Sequence, residues 1–248
     1  MSNSAGAWTS ILGITRTYVV TALACLIPWA THAAEPVKVG CVEFPPLSYT
    51  DNAGKPAGTA LELIATILNQ AGLPWEAKCY PGARLMASLR DGSVHVAMLI
   101  RHPDVVESVL YGHLPMAFLE LDGYRLATQP PLGAMENVRG KSVILLRGYG
   151  YGGWIDFFKD PANGVRINYA DSHQAAFKML TNGHGEYLVD YRDPATLALG
   201  ETTIPKLQRE LLTRLETYFL VSKKAPDAAK LLWRIEDGFK QLGARPID

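Results

Sequence analysis

Four groups of side chains in this sequence are of the kinds that hold a small charged molecule. Glu43, Phe44 and Tyr49 cluster around the turn-forming Pro45-Pro46, an acid set among aromatic rings. Arg84 and Arg101 stand next to apolar segments, where a guanidinium can clamp a carboxylate through two parallel hydrogen bonds. Arg147-Gly148-Tyr149-Gly150-Tyr151-Gly152-Gly153 is a loop whose glycines let backbone N–H groups approach an anion, with Tyr149 and Tyr151 as walls. Asp190 and Tyr191 end an apolar run, where the acid could pair with an ammonium. Aromatic surfaces would exclude water and strengthen each of these polar contacts.

Each group also has a plain structural use. Phe44 could be core and Glu43 a solvated loop acid. Arg84 or Arg101 could pair with Glu43 or Asp104, and Arg84, opening a helix, sits badly with the helix dipole unless an anion faces it. The glycine loop could simply be flexible. Asp190 could cap the turn that Asp193-Pro194 suggests.

Other chemistries have little support. The glycine loop lacks both a Gly-Lys-Ser/Thr ending and Gly-x-Gly-x-x-Gly spacing, and no Gly-x-Ser-x-Gly elbow occurs. His95, His102, His173 and His184 form no metal-ligand spacing with one another or with cysteine. No cofactor is therefore expected. Lysine and arginine number 24, as do aspartate and glutamate, so no net field favours nucleic acid, and no RNA-binding aromatic motif is present.

The elements that must position these residues alternate. Val37–Val42 reads as a strand, and Leu61, Ile64, Ala65 and Leu68 share one helical face ended by Gly72 and Pro74. Trp75–Tyr80 is a second strand, 83–89 a helix, and 94–100 a third strand. A second lobe repeats the scheme with Ser142–Leu146, a helix from Trp154, a strand at 165–169, a helix at 172–180 and a strand at 187–190. Leu89-Arg90-Asp91-Gly92 and Leu180-Thr181-Asn182-Gly183 occupy the same place in each half. Trp154, Phe157 and Phe158 read as core. A strand at 218–222 and a helix over 227–242 return to the first lobe, with Ala228, Leu231, Leu232, Ile235 and Phe239 inward. The expectation is an α/β fold of two lobes, each a mostly parallel sheet flanked by helices, crossed twice by the chain.

The N-terminus reads as a processing segment. Arg16 precedes an apolar stretch from Tyr18 to Trp29, and Thr31-His32-Ala33 offers small residues for cleavage after Ala33. An uncleaved anchor and a lipoprotein at Cys25 fit less well. The expected parts are a leader at 1–33, lobe one at 34–126, lobe two at 127–205 and a returning segment at 206–248. Cleavage leaves Cys41 and Cys79, which end neighbouring strands; an oxidising compartment permits a bridge, and two separate thiols are the alternative.

The layout resembles the periplasmic solute-binding proteins of family 3, the type II binding-protein fold that serves polar amino-acid transporters. The matching stretches are Val37-Lys38-Val39-Gly40 through Phe44-Pro45-Pro46-Leu47-Ser48-Tyr49, Gly54-Lys55-Pro56-Ala57-Gly58 before a helix with Glu62, the two helix-to-strand turns, Val189-Asp190, and Tyr218-Phe219-Leu220-Val221-Ser222-Lys223-Lys224. The resemblance implies a periplasmic monomer that closes on a small polar, amino-acid-like ligand and hands it to an ABC-type permease, with Asp190 where the family places an acid for the ligand's ammonium. The chain departs from the family at Ile100-Arg101-His102-Pro103-Asp104-Val105, where valine stands at the place of the carboxylate-clamping arginine, and at Gly58-Thr59-Ala60 in place of Gly-Phe-Asp. Arg84 or Arg101 would have to supply the cation. A dehydratase-like secreted enzyme with Glu43 and Asp190 as acids, and a sensing module for a membrane receptor, are the alternatives; a binding protein rather than an enzyme is the reading favoured.

Overall fold

Apolar residues two apart in the short strands and three or four apart in the helices give each element one face to bury. A computed structural model of the protein describes residues 35–248 apart from 201, 244 and 248. The expected leader, its cleavage after Ala33 and Cys25 lie outside the described residues. The elements run β1 (Val37–Val42), β2 (Tyr49–Thr50), β3 (Pro56–Ala57), α1 (Thr59–Gln70), β4 (Trp75–Tyr80), α2 (Gly82–Asp91), β5 (Val96–Ile100) and β6 (Val109–Leu126). There follow β7 (Ser142–Leu146), α3 (Trp154–Lys159), β8 (Arg166–Ala170), α4 (His173–Thr181), β9 (Tyr187–Tyr191), α5 (Arg192–Leu199), β10 (Leu207–Ser222) and α6 (Ala228–Gln241).

Eight strands pair in the order β4-β1-β5-β10-β6-β9-β7-β8. The outer groups β4-β1-β5 and β9-β7-β8 are each parallel within themselves. Between them lie β10 and β6, antiparallel to each other over nearly their whole length. At one end β10 pairs with β5 through Thr217–Val221, and at the other β6 pairs with β9 through Leu121–Tyr124. The fold is therefore α/β with two lobes sharing two long strands. The chain crosses between the lobes along these strands, β6 ending at Leu126 and β10 beginning at Leu207. β10 carries register shifts between Leu211 and Thr213 and again around Tyr218, irregularities of the kind that bend a strand.

In the first lobe, α1 buries Leu61, Ile64, Ile67 and Leu68, and α6 buries Leu231, Leu232, Ile235 and Phe239. Ile67, rather than the expected Ala65, completes the buried face of α1. Phe239 meets Phe219 of β10 edge-on at 5.7 Å, which seats the returning helix on the sheet. In the second lobe Tyr124, Ile144, Phe177, Leu180 and Leu188 form a separate cluster. Phe158 is buried while Trp154 and Phe157 are only partly so. The turn expected at Asp193-Pro194 is the first turn of α5, where proline costs no helical hydrogen bond. Asp122 of β6, fully buried, is held by Arg192 of α5 through two bonds of 2.7 and 2.8 Å. Cys41 and Cys79 face each other across β1 and β4 and are joined by a disulfide.

Candidate functional site

The carboxyl ends of β1 and β5 on one side, and of β7 and β9 on the other, face one cavity of about 700 Å³. Open α/β sheets expose their strand ends in this way, because the chain must leave each strand there to reach a covering helix. The first lobe contributes the end of β1 with Glu43 and Phe44, the start of α2 with Met86, and the end of β5 with Met98 and His102. The second contributes Arg147, Gly148, Tyr149, Gly150 and Tyr191, while Met116, Leu119 and Thr217 of the shared strands form the floor. The walls are mainly apolar, so the few polar groups act with little competition from water.

Phe44 is placed by a tight turn in which Phe44 and Ser48 exchange backbone hydrogen bonds of 2.6 and 3.0 Å. Its ring reaches the opposite lobe, 5.0 Å from Tyr191 and 6.2 Å from Tyr149. Glu43 lines the cavity, its carboxylate accepting from the Thr50 N–H at 2.9 Å and the Thr50 hydroxyl at 2.5 Å. Tyr49, half-buried in β2, is not among the lining residues.

Arg84 is exposed on α2 and does not line the cavity. Arg101 also lies off it, its guanidinium 4.8 Å from the ring centres of both Tyr111 and Tyr218. β5 ends at Ile100, and beyond it Arg101 packs on Tyr111 and Tyr218 while His102 lines the cavity. Val105, at the place of the family's arginine, is buried in the first lobe's core. Among the described residues, Arg147 is thus the one lysine or arginine that lines the cavity. It bonds Asp171 at 2.8 Å, but both side chains are largely exposed and such pairs hold loosely. Gly148 has φ of +83°, a conformation that lets the loop turn back into the cleft.

Behind this wall the structure assembles a group that the sequence reading did not. Tyr151 is wholly buried and stacks on Tyr191 at 5.8 Å, its hydroxyl accepting the Leu146 N–H at 2.6 Å. It is a support for the wall and not a surface of it. Asp190, also wholly buried, does not line the cavity either. Its Oδ1 accepts the Tyr191 N–H at 2.8 Å, and its Oδ2 lies 2.7 Å from His173 Nδ1. His173 Nε2 lies 3.3 Å from the Tyr149 hydroxyl. Burial pushes the Asp190 carboxyl up, against the hydrogen bond and charge of His173. Burial and then the Asp190 charge push the Tyr149 phenol up to about 12. His173 entered the sequence reading only as a residue without metal spacing; the one local signal was Ser172, which caps α4 and so fixes where its first side chain points. Among the described residues no cluster of His, Cys, Asp and Glu could hold a metal ion, and no helix is long and apolar enough to cross a membrane.

No protein-family model and no curated protein sequence matches the chain. Solved structures do. A histidine kinase sensor domain with similarity to periplasmic binding proteins aligns at 21% identity over 85% of this chain and 92% of its own, with a TM-score of 0.69. The GluR0 ligand-binding core in complex with L-glutamate aligns at 14% over 86% and 96%, with a TM-score of 0.68. An ancestral arginine-binding protein bound to arginine aligns at 18% over 84% and 92%, with a TM-score of 0.66. These likenesses establish the two-lobed periplasmic-binding-protein-like fold expected from the sequence.

Proposed function

We propose that this protein is an exported solute-binding protein that captures a small, amino-acid-like ligand in the interlobe cavity and delivers it to an ABC-type permease. The observation that carries this reading is that both lobes line one cavity, so a solute inside it touches both at once. Such a solute binds the closed arrangement better than the open one and shifts the population toward it, and β6 and β10 supply the two crossings about which the lobes would turn. The names of two neighbours, one bound to arginine and one to L-glutamate, support an amino-acid-like ligand. Arg147 with the N–H groups of the glycine loop is the anion site in this reading, and Glu43 and Asp104 are the lining acids available to a cation. Met86 and Met98 on the wall and Met116 on the floor suit an apolar side chain on the ligand.

Export follows from the leader expected at 1–33, and the disulfide between Cys41 and Cys79 supports an oxidising compartment. The protein acts as a monomer and returns its ligand unchanged in this proposal. Of the two acids that a dehydratase-like mechanism would use, Asp190 is turned away from the cavity. The likeness to a sensor domain favours a second reading, in which the closed form reports to a membrane receptor.

Native mass spectrometry of freshly exported protein should show a co-purifying solute, released unchanged on unfolding. Uptake of that solute should fall in cells lacking the protein. Normal uptake with loss of a transcriptional response would favour sensing. Absence of any bound or bindable small molecule would remove both readings.

A further inference from the structure

We propose that Asp190 and His173 set the hydrogen-bond polarity of Tyr149, so that this wall of the cleft presents an acceptor and takes a hydrogen-bond donor of the ligand. The geometry leaves little freedom. Asp190 has no exposed surface, and its Oδ1 is occupied by the Tyr191 N–H. As an ionised carboxylate it can only accept, so its Oδ2, 2.7 Å from His173 Nδ1, takes a proton carried on Nδ1. In a neutral imidazole the other nitrogen is then an acceptor. Nε2 stands 3.3 Å from the Tyr149 hydroxyl, so the phenol donates its single proton backward, away from the ligand space.

With that proton committed, only lone pairs of Tyr149 remain for a molecule in the cavity that Tyr149 lines. An ammonium, amide N–H or hydroxyl satisfies them, and a carboxylate does not. The opposite tautomer of His173 would turn the hydroxyl round and select the reverse. His173 and Asp190 are thus positioning residues that act through Tyr149. The consequence for ligand choice rests on the reading of the cleft as a binding site; the relay itself does not.

The test uses the mature chain, ligand-free, with 15N-labelled histidine and long-range proton–nitrogen correlation at about pH 8, above the ordinary imidazole range. His173→Gln identifies the His173 signals. The wild type should show the Nδ1–H tautomer. In Asp190→Asn the side-chain oxygen stays with the Tyr191 N–H and the amide nitrogen turns to Nδ1, so the Nε2–H tautomer should appear. An Nε2–H tautomer in the wild type overturns the proposal, as does one tautomer common to both proteins. If Asp190→Asn fails to fold, judged by its remaining histidine signals, Tyr149→Phe decides: the His173 Nε2 resonance should move, and an unmoved one overturns the relay. Because no ligand is present, a cleft that binds nothing would defeat the functional reading and leave this result standing.

Discussion

The ring of Phe44 stands edge-on to that of Tyr191, centroids 5.0 Å apart and planes at 81°. Phe44 leaves β1 in the first lobe and Tyr191 ends β9 in the second, so this contact spans the cleft. An edge-to-face pair contributes about 1 kcal/mol beyond the area it covers. Phe44→Leu keeps the neighbouring core filled but removes the ring edge. It should shift the ligand-free protein toward a more open form, seen as a larger radius of gyration in small-angle scattering. An unchanged scattering profile would mean that other contacts hold the lobes together.

Arg147 is the cavity's lysine or arginine, whereas Arg84 and Arg101 lie off it. A hydrogen bond to a charged group is worth about 1.5–3 kcal/mol, so Arg147→Ala should weaken binding of an anionic co-purified solute roughly tenfold or more. Arg84→Ala and Arg101→Ala should bind nearly as the wild type does. Calorimetry on the three variants decides between them, and a large loss in Arg84→Ala or Arg101→Ala would return the clamp to the first lobe.

The Cys41–Cys79 bridge closes a separation of 38 residues that includes all of α1. A cross-link over such a loop restricts the unfolded chain, and its loss costs about 2–4 kcal/mol. The double variant Cys41→Ser, Cys79→Ser should unfold at markedly lower urea than the oxidised wild type. Coincident unfolding curves would show that the parallel pairing of β1 with β4 holds without it.

His95 lies buried at the start of the first lobe's third strand, its Nδ1 accepting the Lys38 N–H at 3.2 Å. Burial, and then the charge of Lys38, hold its imidazole below the ordinary value of 6.5. The folded form therefore refuses a proton that the unfolded chain accepts. Its contribution to stability is complete above 6.5 and is lost as the pH falls from there through the lower folded value. Urea midpoints measured at about pH 7 and about pH 5 should fall less in His95→Gln than in the wild type. Equal slopes would assign the acid sensitivity to other groups.

Much of the scaffold is legible along the chain because it rests on local pattern. Trp75–Tyr80 and Ser142–Leu146 are strands bounded as their apolar and turn residues predict, and Gly92 stops α2 in the left-handed conformation that glycine takes without strain. Of the shared strands, only the end of β10 at 218–222 is legible in the same way, and most of β6 and the rest of β10 are not. Their sequences mix polar and apolar residues without a steady alternation: β6 is covered along nearly its whole length, and β10 runs from a largely exposed start to a buried end. His173 is the clearest omission at the site. Nothing in Ser172-His173-Gln174 distinguishes an imidazole that meets a buried acid 17 residues later from one that faces water.

Composition and periodicity alone determined the class of the fold: two α/β halves, a cysteine pair on neighbouring strands and polar residues where strands empty into loops. These depend on interactions a few residues long, and such interactions are written in the order of side chains. Which of the candidate groups share a cavity was decided only in three dimensions. Arg101 and His102 are adjacent in sequence, yet only His102 lines the cavity, because Arg101 packs on Tyr111 and Tyr218 instead. Asp190 and Tyr191 part in the same way, the acid drawn into the second lobe by His173 and the phenol left facing the cleft. Long-range packing set those directions, and no local pattern encodes them.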